Sequence, residues 1–224
     1  MTESEKYKFK TIDEAKDDLI KNRHTFTDPW VKYGPLRVLN HGNGIMKIGD
    51  STRFFEPVWI RMGHKGKITI YPKTFFQREC ELIAEEEIVV EEEVRVSWNV
   101  LIMDTDIHGI GNNPKENSPV RIKKRAWIGS HARILKGVTI GEAAIIACNS
   151  VVTSDIPDYA VAAGIPAKVI KILEPFEGKH GGRFEGKWYN PDFVPIPHPN
   201  YYVQELGGVK FDWKEDWNEK REKQ

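Results

Sequence analysis

The feature that most constrains the fold is a six-residue spacing of β-branched aliphatic residues in the middle of the chain. Six residues follow one another at this spacing: Ile122, Ile128, Ile134, Ile140, Ile146 and Val152. The fourth residue after each is mostly small or branched: Ala126, Ala132, Val138, Ala144, Ser150 and Ile156. Successive side chains of a strand alternate between faces, so one aliphatic and one small residue in every six turn inward. This spacing is typical of a parallel β-helix, in which each coil is stable only when it pairs with its neighbours.

The same spacing continues upstream towards Ile48, less regularly. A step of eight residues separates Leu82 from Val90, and we expect a bulge or a wide corner there. Glycine follows the inward aliphatic residue at Gly129 and Gly141. We expect these glycines to let the backbone turn without a Cβ clash.

The two ends of the chain have a different character. Residues 12–20 form an apolar stripe at helical spacing, Thr11 can cap that helix, and the helix would cover the open end of the solenoid. Residues 176–217 are rich in glycine, proline and aromatic residues, which is typical of an irregular wrapping tail. The predicted parts are an N-terminal helix and cap segment (1–43), a β-helix (44–173) with a loop at 106–119, and a C-terminal wrapping tail (174–224).

The composition argues against several classes of function. Lysine and arginine number 33 against 33 aspartate and glutamate residues, and this balance disfavours a nucleic-acid or anionic-membrane partner. Two cysteines are too few for a disulfide framework or a cysteine metal cluster. The sequence shows no signal peptide and no apolar stretch near the roughly 20 residues that span a bilayer. We therefore expect a cytoplasmic protein with no nucleic-acid partner and no membrane span.

The repeat is interrupted at "DTDIHGI", residues 104–110, and resumes at Val120 or Ile122. The sides of a solenoid are flat sheets without a cleft. Function must therefore come from a loop that leaves the coils or from a groove between chains. The loop at 106–119 is the candidate, and His108 lies near its beginning.

The run from Trp127 to Leu173 resembles the hexapeptide-repeat acetyltransferases, and its pattern is that of the galactoside, maltose and polysaccharide O-acetyltransferases. The resemblance covers 48–173. It implies a left-handed β-helix, a hand that the spacing cannot show because it departs from the usual crossover rule. It also implies a homotrimer with acetyl-CoA in a groove between adjacent solenoids and no metal. "DTDIHGI" resembles the D-x-D-x-H loop of polysaccharide-modifying members, which implies that His108 is catalytic.

The chemistry of acetyl transfer suits a histidine. An alcohol needs a base to take its proton as it attacks a thioester. Histidine has an unperturbed pKa of about 6.5 and is mostly neutral at pH 7, so it can serve as that base. General-base catalysis of this kind contributes roughly 10² to 10⁴ in rate. We therefore predict direct O-acetylation of a sugar or polysaccharide precursor, with His108 as base and no acyl-enzyme.

The resemblance also implies binding residues. It assigns three to the acceptor: Gln77, Glu85 and Asp106. It assigns six to acetyl-CoA: Ser130, Cys148, Thr153, Ser154, Lys168 and Lys171. The two lysines would supply a cation to the 3′-phosphate. Cys148 and Asn149 belong to a triplet that departs from the family's glycine-alanine-glycine pattern, and Asn149 can still adopt a left-handed turn conformation.

Several alternatives remain open from the residues alone. Asp104, Asp106 or Glu116 could orient the ring of His108, or the aspartates could only satisfy turn amides. The acceptor could be the amine of a nucleotide-linked amino sugar instead of a hydroxyl. A zinc carbonic anhydrase of the same solenoid class would need a close histidine pair, which the seven histidines do not provide. A structural solenoid that binds a partner through its tail is the non-catalytic alternative.

Overall fold

The computed structural model describes residues 9–11, 31–33, 36–55, 57–109 and 111–175. These residues form strands joined by short corners and one longer loop. The strands are β1 (Phe9–Thr11), β2 (Val31–Tyr33), β3 (Leu36–Asn40), β4 (Ile45–Gly49), β5 (Arg53–Phe54), β6 (Val58–Met62), β7 (Lys67–Ile70), β8 (Phe75–Phe76), β9 (Cys80–Ala84), β10 (Glu87–Val90), β11 (Arg95–Val96), β12 (Leu101–Met103), β13 (Val120–Ile122), β14 (Trp127–Ile128), β15 (Arg133–Ile134), β16 (Thr139–Ile140), β17 (Ile145–Ile146), β18 (Val151–Val152), β19 (Ala160–Gly164) and β20 (Ala167–Ile172).

The strands build three sheets around one core. Sheet A has the order β1-β4-β7-β10-β13-β16, sheet B the order β18-β15-β12-β9-β6-β3-β2, and sheet C the order β20-β19-β17-β14-β11-β8-β5. The chain passes from sheet A to sheet C, then to sheet B and back to sheet A, and successive coils pair in parallel. The expected all-β parallel solenoid is confirmed, and its left hand stays a prediction. The columns of corners between two sheets are called the A–C, C–B and B–A edges below.

The inward residues stack in register through the coils. Ile128, for example, pairs with Ile146 on the next coil and with Val96 on the coil before. All six aliphatic residues of the repeat from Ile122 to Val152 are fully buried, and the small inward position is buried at every repeat. The predicted inward positions are therefore confirmed. Truncating one such isoleucine to alanine costs about 2–5 kcal/mol in comparable cores.

The glycines after the inward aliphatic residues have a different role from the predicted one. Gly129 and Gly141 do not have left-handed φ angles, so the expectation that they make the turn is wrong. A Cβ at Gly129 would lie 2.6 Å from the carbonyl oxygen of Ile146, so the glycine permits close stacking of the next coil. The turn is made two residues later, immediately before the small inward residue, where His131 and Asn149 have φ angles of 62° and 58°.

The first parallel pairing lies upstream of residue 44, where the sequence placed the start of the β-helix. Leu36–Asn40 pairs in parallel with Val58–Met62. Its inward residues are buried, but the corner that follows contains two glycines and hides the six-residue spacing. The step of eight residues produces neither the bulge nor the wide corner that we expected. The five-residue strand Cys80–Ala84 accommodates the extra length, and only two residues separate it from Glu87–Val90.

Three strand pairs among the described residues depart from parallel pairing, and they lie at the ends of the stack. One of them joins Val31–Tyr33 to Leu36–Asn40. Phe9–Thr11 pairs antiparallel with Ile45–Gly49, and Ala160–Gly164 forms an antiparallel pair with Ala167–Ile172. The predicted N-terminal helix at 12–20 and the wrapping tail from residue 176 onwards lie outside the described residues. Among the residues that are described, no helix has the length and apolar character needed to cross a bilayer.

Candidate active site

The loop that interrupts the repeat leaves the solenoid at the B–A edge, between Leu101–Met103 and Val120–Ile122. Asp104 is fully buried at its base. The carboxylate oxygens Oδ1 and Oδ2 accept hydrogen bonds from the backbone amides of Glu85 and Glu86, each at 2.8 Å. Burial raises the pKa of Asp104 above its ordinary value, and these backbone amides oppose that shift. Asp104 therefore fastens the start of the loop to the corner of the preceding coil.

The two arms of the loop are held together above this anchor. Thr105 forms an antiparallel bridge with Asn117, and the backbone amide of Asp106 donates to the carbonyl oxygen of Glu116 at 3.0 Å. The ammonium group of Lys136 lies 2.9 Å from Asp106 Oδ2 and 2.8 Å from Glu116 Oε2. These hydrogen bonds, first the one to Glu116, raise the pKa of Lys136. Lys136 thus clamps both arms from the corner of the next coil, a role that the sequence analysis missed.

His108 lies on the exposed outer part of the loop. The backbone before it is held in a left-handed conformation at Ile107, with a φ of 66°, and the amide of His108 donates to the carbonyl oxygen of Asp106 at 2.7 Å. The ring nitrogen Nδ1 is 3.0 Å from the carbonyl oxygen of Gly109. A carbonyl oxygen only accepts, so in the neutral ring this bond places the proton on Nδ1 and leaves the lone pair on Nε2.

Each of the three carboxylates that could orient the histidine ring has another partner in the structure. Asp104 is occupied by two backbone amides, and Asp106 and Glu116 are occupied by Lys136. The described partner of the ring is instead the carbonyl oxygen of Gly109. Gly109 directly follows the histidine and makes this contact through its backbone. A pattern of side chains in the sequence therefore could not predict it.

The predicted acceptor residues lie on two different edges. Glu85 is at the B–A edge beside the loop, and its carboxylate pairs with the ammonium group of Lys115 at 3.2 Å. Asp106 belongs to the loop itself. Gln77 follows a strand of sheet C and therefore lies on the C–B edge, where its backbone amide donates to the carbonyl oxygen of Val96.

The predicted cofactor residues are divided in the same way. Ser130 and Cys148 occupy consecutive corners of the C–B edge, and the Ser130 hydroxyl donates to the Cys148 sulfur at 3.3 Å. Thr153 and Ser154 are exposed on the B–A edge, the edge that carries His108. Two further predicted residues, Lys168 and Lys171, are exposed on the final strand of sheet C. No single edge of the described chain therefore collects the whole predicted site.

Comparison with known proteins matches the model for the bacterial transferase hexapeptide (six repeats) to residues 119–154. These residues therefore carry the hexapeptide-repeat pattern. The galactoside O-acetyltransferase of Escherichia coli K12 is 30% identical over 129 residues, which are 55% of this chain and 62% of that protein. The 2,3,4,5-tetrahydropyridine-2,6-dicarboxylate N-acetyltransferase of Staphylococcus aureus JH9 is 52% identical over 58 residues, which are 26% of this chain and 24% of that protein. The chain thus spans less than two thirds of either relative.

Solved structures show the same fold. The hexapeptide-repeat acetyltransferase of Vibrio cholerae, solved in complex with acetyl coenzyme A, superposes with a TM-score of 0.52 at 21% identity, over 60% of this chain and 73% of that one. The structure of the same Vibrio cholerae protein described without the coenzyme gives a TM-score of 0.51 at 23% identity. At these identities the likeness concerns the fold.

Two tryptophans are also exposed on or beside the C–B edge. Trp98 is 46% exposed and lies in the same column of corners as Ser130 and Cys148. Trp127 is 39% exposed, and its Nε1 donates to the hydroxyl of Ser97 at 3.1 Å. Large aromatic side chains at outward positions favour a further contact, because one face stays apolar while the N–H is satisfied. Their exposure could not be predicted, since an outward tryptophan and an inward one look alike in sequence.

Proposed function

We propose that this protein is an acetyl-CoA-dependent O-acetyltransferase that acetylates a hydroxyl group of a sugar or polysaccharide precursor, with His108 as general base. The observation that carries the proposal is the state of the His108 ring: Gly109 holds Nδ1 at 3.0 Å, so the neutral ring presents the Nε2 lone pair on an exposed loop. The loop is fixed at its base by Asp104 and clamped by Lys136. Both named relatives are acetyltransferases, which supports the reaction class.

The reaction needs only one proton carrier. As the acceptor oxygen attacks the thioester carbon, Nε2 of His108 takes the hydroxyl proton. The tetrahedral intermediate then collapses, the carbon–sulfur bond breaks, and the coenzyme A thiolate recovers that proton from the imidazolium. A backbone N–H at a coil corner is the expected donor to the oxyanion. No covalent acetyl-enzyme is required, because the thiolate is already a good leaving group.

The division of the site between two edges supports a groove between chains. A ligand bound by one chain would have to lie across the outward face of sheet B to reach from His108 to Ser130. In a homotrimer, the B–A edge of one chain would instead face the C–B edge of its neighbour, so that Thr153 and Ser154 would meet the partner copy of Cys148. The exposed tryptophans, Trp98 on the C–B edge and Trp127 on the adjacent strand of sheet C, fit such a contact.

The nucleotide end of acetyl-CoA is proposed to lie at the final hairpin. Lys168 and Lys171 are exposed on Ala167–Ile172 at the end of sheet C. A phosphate prefers such cations, and a charge-assisted contact to one of them is stronger than a neutral hydrogen bond. Pantetheine, an extended chain with two amides, would follow the corners towards the histidine loop.

The direct test is release of free thiol from acetyl-CoA in the presence of a panel of sugars and nucleotide sugars. We expect thiol release that depends on the acceptor, and a rise in melting temperature when coenzyme A alone is added. If no acceptor raises thiol release and coenzyme A leaves the melting temperature unchanged, the protein is a structural solenoid and the proposal fails.

N-acetylation is the second candidate. It is favoured by the S. aureus relative, an N-acetyltransferase that is 52% identical over 58 residues. The same histidine could deprotonate an ammonium group before attack. The products separate the two reactions, because mild alkali hydrolyses an acetate ester and leaves an acetamide intact. We expect the acetylated product of this protein to be alkali-labile.

A further inference from the structure

A cleft of about 680 Å³ opens on the B–A edge, one to three coils before the histidine loop. It is lined among others by Asn43, His64, Lys65, Lys67 and Glu85, and by Asn117 from the returning arm of the loop. We propose that this cleft binds the acceptor and that the acceptor is an acidic sugar, whose carboxylate or phosphate group contacts Lys65 and Lys67. This inference rests on the proposed acetyl transfer and adds the class of substrate to it.

The two cleft lysines differ from three other lysines on the edges. Lys115, Lys123 and Lys136 each form an ion pair with a carboxylate at 3.2 Å or less. Within the described residues, by contrast, no carboxylate pairs with the exposed ammonium group of Lys65 or Lys67. Unpaired cations that line a concave surface attract an anion, and the contact is strengthened where the ligand displaces water.

The carboxylates of the cleft are arranged to accept hydroxyl groups. Glu85 is already balanced by Lys115, and its backbone amide is fixed by Asp104. Its side chain lies over Gly63, where a Cβ would come within 2.2 Å of Glu85 Oε2, so the glycine makes room for it. Glu86 adds a second carboxylate, which gives three lysines against two glutamates when Lys115 is included.

This combination matches the chemistry of one ligand class. Sugar hydroxyl groups donate to the glutamate oxygens and both donate to and accept from the asparagine amides. The excess positive charge then requires an anionic group on the same molecule. A neutral sugar would satisfy the glutamates and asparagines and leave both cleft lysines without a partner.

The cleft and the histidine share the loop as a common wall. Asn117 lines the cleft and forms a backbone bridge with Thr105, three residues before His108. The ion pair between Glu85 of the cleft and Lys115 of the loop is a second connection between them. An acceptor seated here would therefore lie beside the loop that carries the proposed base.

The test compares glucuronate, glucose 6-phosphate and glucose, first for binding by saturation-transfer NMR and then as acceptors in the thiol-release assay. We expect the full-length protein to bind at least one of the anionic sugars about tenfold more tightly than glucose. The double variant Lys65→Gln/Lys67→Gln should lose that preference. The matched control is Lys47→Gln, an exposed lysine on the outward face of sheet A outside the cleft, and it should keep the preference.

The outcomes separate the two proposals. A preference for glucuronate alone identifies a carboxylate, and a preference for glucose 6-phosphate alone identifies a phosphate. If glucose binds as well as both anionic sugars, or the double variant keeps the preference, the cleft does not select an acid, whether or not acetyl transfer occurs. If anionic sugars bind in the predicted way but none of a wide acceptor panel releases thiol, the proposed transfer fails while the acidic-sugar site stands.

Discussion

The B–A and C–B edges are built from the same repeat, yet only the B–A edge is interrupted among the described residues. Along the C–B edge the corners stack regularly, and Ser130 lies one coil, 18 residues, before its contact Cys148. Along the B–A edge the chain leaves the stack after Leu101–Met103 and returns at Val120–Ile122, which leaves His108 exposed on a loop. One edge is a regular stack of corners, and the other carries the candidate catalytic residue on a loop.

The two edges suit different parts of an active site. A regular edge offers repeated backbone groups and shallow side chains, which suit a long, extended ligand. An interrupted edge can place one ring in a defined orientation, but only if the excursion is anchored, which Asp104 and Lys136 do here. Because each edge has only one of these features, we propose that the site forms where the two edges meet.

The largest effect is expected when the histidine is removed from the interrupted edge. His108→Ala should lower kcat for acetyl transfer by roughly 10² to 10⁴, the contribution of a general base, while the fold and coenzyme A binding persist. Steady-state thiol release with an identified acceptor measures the change. The rate of the unaltered protein should also fall in acid, because a protonated ring cannot accept the proton.

The regular edge supplies the control for this variant. His131 lies on the C–B edge in a left-handed conformation, with a φ of 62°, which asparagine tolerates. His131→Asn should therefore keep nearly normal turnover. Near-normal turnover in His108→Ala would mean that the loop only shapes the pocket.

The anchor of the loop predicts an effect on stability. In Asp104→Asn the side chain keeps one carbonyl oxygen and places an NH₂ group against a backbone N–H, so one buried donor loses its acceptor. We expect a loss of about 1–3 kcal/mol in the free energy of unfolding, measured by urea denaturation.

The same residue predicts a pH dependence. Because burial raises the pKa of Asp104, the native state holds that proton more tightly than the unfolded state does. Protonation of Asp104 therefore contributes stability that is fully present below the ordinary aspartate pKa. This contribution is lost as the pH rises through the raised pKa of the native state. Asp104→Asn should lack this component. Equal stability and equal pH profiles in the two proteins would refute the role of the anchor.

The clamp of the loop predicts a smaller effect on catalysis. Lys136→Ala releases Asp106 and Glu116, so the histidine loses its fixed position, and a small misplacement of a catalytic group slows the reaction. We expect kcat to fall about tenfold with little change in the KM for acetyl-CoA, and Lys136→Arg to recover much of the loss. Lys123→Ala breaks an ion pair with Asp158 on the A–C edge and serves as the control. Loss of activity in both alanine variants alike would point to a general effect of removing an ion pair.

The regular edge can be probed by thiol chemistry. Cys80 is fully buried, its thiol donates to the carbonyl oxygen of Ser97, and burial raises its pKa to about 12. Iodoacetamide should therefore modify the exposed Cys148 and spare Cys80. Saturating acetyl-CoA should slow the modification of Cys148 severalfold, as measured by peptide mass spectrometry. An unchanged rate would place the coenzyme away from the C–B edge.

The sequence predicted the parts of the molecule that repeat. The inward ladder from Ile122 to Val152 could be identified because each six-residue step returns the chain to the same inward position, and the loop could be identified because that spacing stopped. The hand of the coil could not, since a spacing of apolar residues is the same in a left-handed and a right-handed solenoid.

The contacts that position the site were harder to predict. Asp104 meets the amide of Glu85 across 19 residues, and Lys136 meets Glu116 across 20, so each contact exists only once neighbouring coils have stacked. A signal was nevertheless available: three hexapeptides make one coil of 18 residues, as the contact of Ser130 with Cys148 illustrates. Polar residues about 18 apart on an edge are candidates for contact. The contact of the His108 ring with the backbone of Gly109 could not be predicted from such a spacing.

The most direct test of the central claim is complementation between two inactive chains. His108→Ala removes the function of the B–A edge, and Cys148→Trp fills the proposed groove at the C–B edge. Co-expressed and randomly mixed in a trimer, the two chains should recover about a quarter of the normal thiol-release activity, because a site is competent when the intact B–A edge of one chain meets the intact C–B edge of its neighbour. If mixed oligomers form and remain as inactive as either variant alone, the site lies within a single chain and the account of two paired edges is contradicted.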